Sequence, residues 1–358
     1  MVTALKTSIN ILLVFLFAAC TSVPDERMTP YVDFPETREL TARTLSLDSA
    51  LFRYPYRVRV QDDKAVVLDL HGTEYFFHAF HYPGFHYLSS FGKRGDAPEE
   101  MLSAENLRWN GNFLWTLDSN KSELTRLGFA SSGDSLLRLE AVSLDEELLR
   151  ALDFVQYDDS TFIIPDYSGD SRFCLVSRQG KLLHKIGTIP TTDEDALKNA
   201  HPALAQAWRS FIDYNPRNGV LAAVTQLGEV LEIYNLKDST HIVRIGPNGE
   251  PEFQISQGYG IPTGIMGFSD IQVTDSAIYV VFQGRAFKDI MQKAQQGIIA
   301  GYGVYVNQKT DALSDLALAN VEALANGEWG TGFNCRWADA NYWFCTPLGD
   351  GLGCPCFM

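Results

Sequence analysis

What most constrains the folding of this chain is a recurring unit of short strand-like runs separated by turn residues. In residues 56–92 the runs are "YRVRV", "AVVLDL", "YFFHAF" and "FHYLSSFG", divided by Asp62-Asp63, "HGTE" and "HYPG". Related patterns occupy 107–143, 153–187 and 210–246, and a fifth opens at 268 with "FSDIQVTDSAIYVVFQG". Runs of β-branched and aromatic residues bounded by Gly, Asn, Asp and Pro read as antiparallel meanders. One meander cannot bury both of its faces, so copies at this period stack radially, each as a propeller blade.

The stretch "SSFGKRGDAPEE" (89–100) superficially resembles a phosphate-binding loop, with two glycines around a Lys-Arg pair. A true phosphate loop needs a Gly-Lys-Ser/Thr ending that opens a helix after a strand. Here acidic residues and Pro98 follow instead. "FGKRG" closes the first unit as "KIGTIP" closes the third and "RIGPNG" the fourth. The segment is therefore punctuation between blades.

Ahead of the repeats, Lys6 precedes the apolar run "INILLVFLFAA" (9–19) and Cys20. The run is shorter than the roughly 20 residues that cross a bilayer, but it fits the core of a secretory leader ending in small residues. "FAAC" resembles a bacterial lipoprotein signal, in which the Cys is lipidated and becomes the mature N-terminus. The expectation is a signal peptide over 1–19, a lipid anchor on Cys20 and a polar tether over 20–29, with plain secretion or an uncleaved anchor as the alternative. A body lipid-anchored in the cell envelope follows, on the periplasmic side or at the outer surface of the outer membrane.

The composition, 46% hydrophobic with 28 Gly and 15 Pro, suits a large core rich in turns. A formal net charge of -15 makes nucleic acid a poor partner, because displacing its counterions needs a basic stripe.

"YPYRVRV…AVVLDL…FGKRGDAPEE", "LRW…FLWTLDSNKSELTRL" and "FSDIQVTDSAIYVVFQGRAFKDI" together resemble the TolB-like six-bladed β-propeller lipoproteins of Bacteroides-type bacteria, relatives of NHL-repeat propellers. The resemblance covers roughly residues 30–306. It implies an all-β fold, a six-bladed β-propeller of four-stranded antiparallel blades, that binds something in the envelope. It brings no catalytic residues.

After 306 the repeat stops. Residues 307–358 turn Ala-rich and then Trp-, Gly- and Cys-rich, with Cys335, Cys345, Cys354 and Cys356 near the end. Three readings stay open: a divergent sixth blade stapled by disulfides, a metal site, or a tail altered by frameshift or truncation. An oxidising compartment favours disulfides, and Cys-Pro-Cys is not a zinc spacing. "TARTLSL" (41–47) is a candidate strand for closing the ring from the N-terminal side.

In a four-stranded meander the links between second and third strands share a face with the links between blades. Asp69, Asp118 and Asp166 end second strands at matching positions, and Arg94 falls on the same face. So do two partly helical insertions, 188–209 and 285–301, the second beginning at Arg285. Loops gathered on one side of a rigid scaffold commonly carry binding residues. Asp before a turn also accepts backbone N–H bonds and simply closes the hairpin. His71, His78, His81 and His86 cluster in sequence, but their spacing points them apart, as surface or packing residues. No Gly-x-Ser-x-Gly, His-Glu-x-x-His or EF-hand pattern occurs, and nothing calls for a cofactor or a metal. The expectation is a recognition module for a glycan, peptide, other small molecule or envelope protein; a propeller hydrolase or lyase, or a structural partner in an envelope complex, is the alternative.

Overall fold

The computed structural model describes residues 28–31, 34, 36–42, 52–131, 133–256, 258–290, 334–339 and 342–346. Strand β1 (Met28–Pro30) comes first. Blade one then consists of β2 (Pro55–Gln61), β3 (Lys64–Asp69), β4 (Tyr75–His81) and β5 (His86–Lys93). Blade two holds β6 (Asn106–Asn110), β7 (Phe113–Asp118), β8 (Glu123–Phe129) and β9 (Leu136–Ser143). Blade three holds β10 (Val155–Gln156), β11 (Thr161–Pro165), β12 (Phe173–Ser177) and β13 (Leu182–Ile186). Helices α1 (Glu194–Asn199) and α2 (His201–Ala207) follow. Blade four holds β14 (Ser210–Asn215), β15 (Val220–Thr225), β16 (Val230–Asn235) and β17 (Thr240–Ile245).

Each of these four blades is an antiparallel meander in sequence order, as the alternating runs and turns dictate. Two hairpins come after them: β18 (Phe253–Ser256) with β19 (Tyr259–Pro262), and β20 (Ile265–Val273) with β21 (Ile278–Ala286). The second begins the fifth unit. Strands β22 (Asn334–Asp339) and β23 (Tyr342–Thr346) form a separate hairpin whose register sets Cys335 opposite Cys345. The candidate closing strand at 41–47 lies largely outside the described residues; 41–42 carry no strand. Residues 28–30, at the end of the stretch read as a tether, run parallel to β17 as a fifth strand on the rim of blade four.

The core lies between blades. Trp115, Leu117 and Leu124 of blade two pack with Phe162, Ile164 and Val176 of blade three. Val66, Leu68 and Phe77 join blade one to Leu107 and Leu114 of blade two. Ile163 and Phe173 meet Ile212 and Leu221 of blade four, and Phe211 and Val224 meet Phe268 and Ile271 on β20. Each large side chain buried this way contributes about 1.5–3 kcal/mol relative to exposure. A meander without neighbours would forfeit that on both faces, so the radial stack follows from the repeat.

The blade-closing glycines have a steric cause. Gly92 sits at φ +64°, and a Cβ there would lie 2.6 Å from the Phe77 ring; Gly187 sits at φ +70°. Both conformations favour glycine, and at Gly92 the Phe77 ring also leaves no room for a side chain. In the former phosphate-loop candidate, Lys93 pairs with Glu100 at 2.6 Å.

Candidate functional site

Asp69, Asp118 and Asp166 stand where the repeat places them, at the ends of the second strands of blades one to three. All three are buried, and each serves its own blade. Asp69 accepts the N–H groups of Arg53 (2.8 Å) and Tyr54 (2.6 Å). Asp118 accepts the N–H groups of Leu102 (2.7 Å), Asn120 and Lys121 (3.0 Å each) and the Ser103 hydroxyl (3.1 Å). Asp166 takes Ser168 N–H (3.0 Å) and Ser171 N–H (3.2 Å), and Lys185 lies 3.1 Å away. Arg94 donates to the Gly72 carbonyl at 3.1 Å and lies over the Phe76 ring. Half-buried Arg285 sits within β21 opposite Met266, so the strand runs past the point where the insertion was expected to start. The fold thus gives these groups separate local tasks and does not gather them. Cys20 lies outside the described residues.

The first insertion is helical, as its pattern predicts. Asp193 caps α1 by accepting Ala196 N–H at 2.9 Å. Leu204 and Trp208 bury against Val230 and Val243 of blade four, and His201 Nδ1 lies 3.1 Å from Asp170 beside the Asp166 turn.

The first strands β2, β6, β14 and β20, with Asp153 just before β10, bring six charges together along the axis. Arg59 grips Asp270 with two bonds of 2.7 Å, and Arg57 reaches the same carboxylate at 3.3 Å. Arg108 crosses from blade two to Asp153 (2.9 Å) and to Asp213 of blade four (2.7 Å), and also donates to the Ile212 carbonyl. Burial alone would raise the Asp270 carboxyl, but Arg57 and Arg59 outweigh it and hold it well below the usual carboxylate range. Burial pushes the Asp213 carboxyl up, against the pull of Arg108. Among these six described groups, each guanidinium is engaged by a carboxylate and each carboxylate by a guanidinium.

A second polar place lies on blade one. Register puts Ala65, Val67, His78 and Ser90 on one face of the blade, and Val66, Leu68 and Phe77 on the face that meets blade two. A bulge between Ala79 and Phe80 shifts the β4–β5 register, pairing Ser89 with Ala79 but Tyr87 with Phe80. Residues three apart on a regular strand point oppositely; the bulge turns Tyr87 and Ser90 to the same side. The Tyr87 hydroxyl lies 2.8 Å from Ser90 Oγ, which lies 2.8 Å from His78 Nδ1. These three line a cleft of about 350 Å³ with Asp69, Glu74 and Tyr75. His78 is only 8% exposed, and its Nε2 is buried without a hydrogen-bond partner among the described residues. Burial lowers its pKa from the ordinary histidine value, so the ring is neutral at pH 7.

Sequence spacing assigned His78 to packing, because neither the bulge nor the pairing of positions 78 and 90 is written in a period of two. The β3–β4 loop that forms one wall of the cleft belongs to the face on which the sequence placed Asp69. Among the described residues no three His, Cys, Asp or Glu side chains come together as metal ligands, and no helix is long and apolar enough to cross a membrane.

A family model described as TolB-like 6-blade propeller-like matches residues 33–306, and one described as NVEALA protein matches 297–354, the stretch where the blade period disappears. No curated protein matches the chain. Among solved structures, a Bacteroides fragilis protein named provisionally as exported shares 12% identity at a TM-score of 0.46, over 72% of this chain and 75% of that one. A member of the DUF4221 family from Bacteroides vulgatus shares 11% identity at a TM-score of 0.40, over 64% of this chain and 67% of that one.

Proposed function

This chain belongs to the TolB-like 6-blade propeller-like family, and on that premise we propose that it is a ligand-recognition module held at an extracytoplasmic membrane surface by a lipid on Cys20. The observation that carries the reading is the cleft beside Asp69. Its polar groups converge from two adjacent strands and one loop. Ligand sites commonly have volumes of roughly 300–1,000 Å³, and this cleft, at about 350 Å³, lies at the small end of that range. The axis supports the same reading from the other side. Its arginines and aspartates neutralise each other, so their charges hold blades together and are not poised for a substrate.

The anchor accords with the leader-like run and the small residues before Cys20. Thermal unfolding of the chain against oligosaccharides and peptides tests recognition. A ligand at 100 times its Kd adds about 2.7 kcal/mol, enough to raise the midpoint by several degrees. Silence across both classes removes the reading. Labelling with a radioactive fatty acid tests the anchor: Cys20→Ala should lose the label and leave the membrane fraction, and retained label would refute it.

A further inference from the structure

We infer that the blade-one cleft takes a neutral, hydroxyl-rich ligand, a single sugar unit of a glycan; this rests on the cleft being the recognition site. Three features of the lining lead there. No Lys or Arg lines it, whereas Asp69 and Glu74 do. With the chain at a net charge of -15, a carboxylate or phosphate ligand would meet repulsion, and the neighbouring cations are already engaged, Lys93 by Glu100 at 2.6 Å and Arg94 by the Gly72 carbonyl at 3.1 Å.

The available side chains are mostly hydroxyls. Tyr75, Tyr87 and Ser90 each carry one, and a hydroxyl both donates and accepts. A ligand hydroxyl is the complementary group, because it also plays either part. Ser90 and Tyr87 share one hydroxyl proton in the bond between them, so a ligand hydroxyl can pair with either whichever way that proton points.

A cationic ligand is the nearest competitor, since Glu74 could pair with it. Glu74 is exposed, and an exposed ion pair contributes only about 0–1 kcal/mol. A row of hydroxyl-to-hydroxyl bonds at the bottom of a cleft outweighs that. Glu74, which only accepts, would take two neighbouring ligand hydroxyls, while the Tyr87–Ser90–His78 chain fixes the direction of the Ser90 bond.

The test is calorimetric titration of the full chain in detergent with neutral methyl glycosides, matched uronic acids and sugar phosphates, and glucosamine with putrescine as cations. The expected result is binding of at least one neutral glycoside in preference to its charged counterparts. Ser90→Ala should weaken it by about five- to tenfold, the loss of one hydrogen bond, with a lower unfolding midpoint because His78 Nδ1 loses its partner; exposed Glu74→Gln should weaken it by about two- to fivefold with an unchanged midpoint. A preference for an acidic or cationic ligand that still depends on Ser90 overturns the ligand class and leaves the site standing. Neutral-sugar binding indifferent to both substitutions overturns the site but keeps recognition. No binding by any probe overturns the inference, and if oligosaccharides and peptides also fail to shift the midpoint, the recognition reading falls with it.

Discussion

Replacing Arg108 by Met retains most of its aliphatic length and removes its charge from the centre of the ring. The guanidinium holds Asp153, Asp213 and the Ile212 carbonyl at once. The Asp153 side chain is 2% exposed and that of Asp213 17%, so neither carboxylate finds enough water to replace the lost partner. Removing one member of a buried ion pair costs about 3–5 kcal/mol. At about 2–4 °C per kcal/mol for a domain of this size class, the unfolding midpoint should fall by about 6–20 °C at pH 7. Differential scanning calorimetry reads it directly. Burial already pushes the Asp213 carboxyl up against the pull of Arg108, so without Arg108 its folded pKa would stand further above the unfolded value of about 3.9. That penalty is complete above the folded value and vanishes below the unfolded one, so the gap between variant and parent should narrow as pH falls toward 4. The double variant Arg108→Met, Asp213→Asn should recover part of the loss at pH 7, since the amide oxygen of the new side chain can still accept the Val273 N–H. A single variant within about 2 °C of the parent, or a gap that widens in acid, would refute the account of the axis.

Asp118→Ala should cost about 3 kcal/mol, because Leu102, Asn120 and Lys121 N–H groups lose a charged acceptor in a buried turn; urea denaturation with an unchanged midpoint would show that the turn does not need the carboxylate. Asp270, held below the usual range once Arg57 and Arg59 outweigh its burial, contributes stability that is present above the unfolded Asp pKa and lost as pH falls through the folded one. Asp270→Asn should therefore flatten the acid side of the stability curve, measured by calorimetry at pH 2–5. Cys174 is buried and its thiol is pushed up to about 12, mainly by desolvation; it should resist a thiol reagent such as dithionitrobenzoate at pH 8 until the chain is unfolded, and prompt labelling in the native state would contradict that.

The blades were legible because strand and turn chemistry is local. "YRVRV", Asp62-Asp63 and "AVVLDL" became β2, its turn and β3 nearly residue for residue, and Gly92 proved to be forced by backbone and sterics. The matching of Asp69, Asp118 and Asp166 was legible for the same reason: each completes a turn within its own unit. What bound residues across units was not. Arg108 and Asp213 are 105 residues apart, and no periodicity announces that a long side chain on one first strand will reach another across the axis. The hairpin β18–β19 was missed because "FQIS" and "YGIP" are too short to register as a repeat. The cleft escaped because a register shift, not composition, turns Tyr87 toward Ser90.

The crossing charges also change how such a ring assembles. Stacked repeats whose units touch only their neighbours behave as one-dimensional arrays that can fray from an end. Arg108 ties blade two to Asp153 beside blade three and to blade four, and Arg57 and Arg59 tie blade one to β20, two hundred residues downstream. Peeling away blade one, blade two or β20 strands a charge belonging to another unit. The disk is therefore built to form and to come apart as a whole, with its cooperativity written across the hub and not only around the rim.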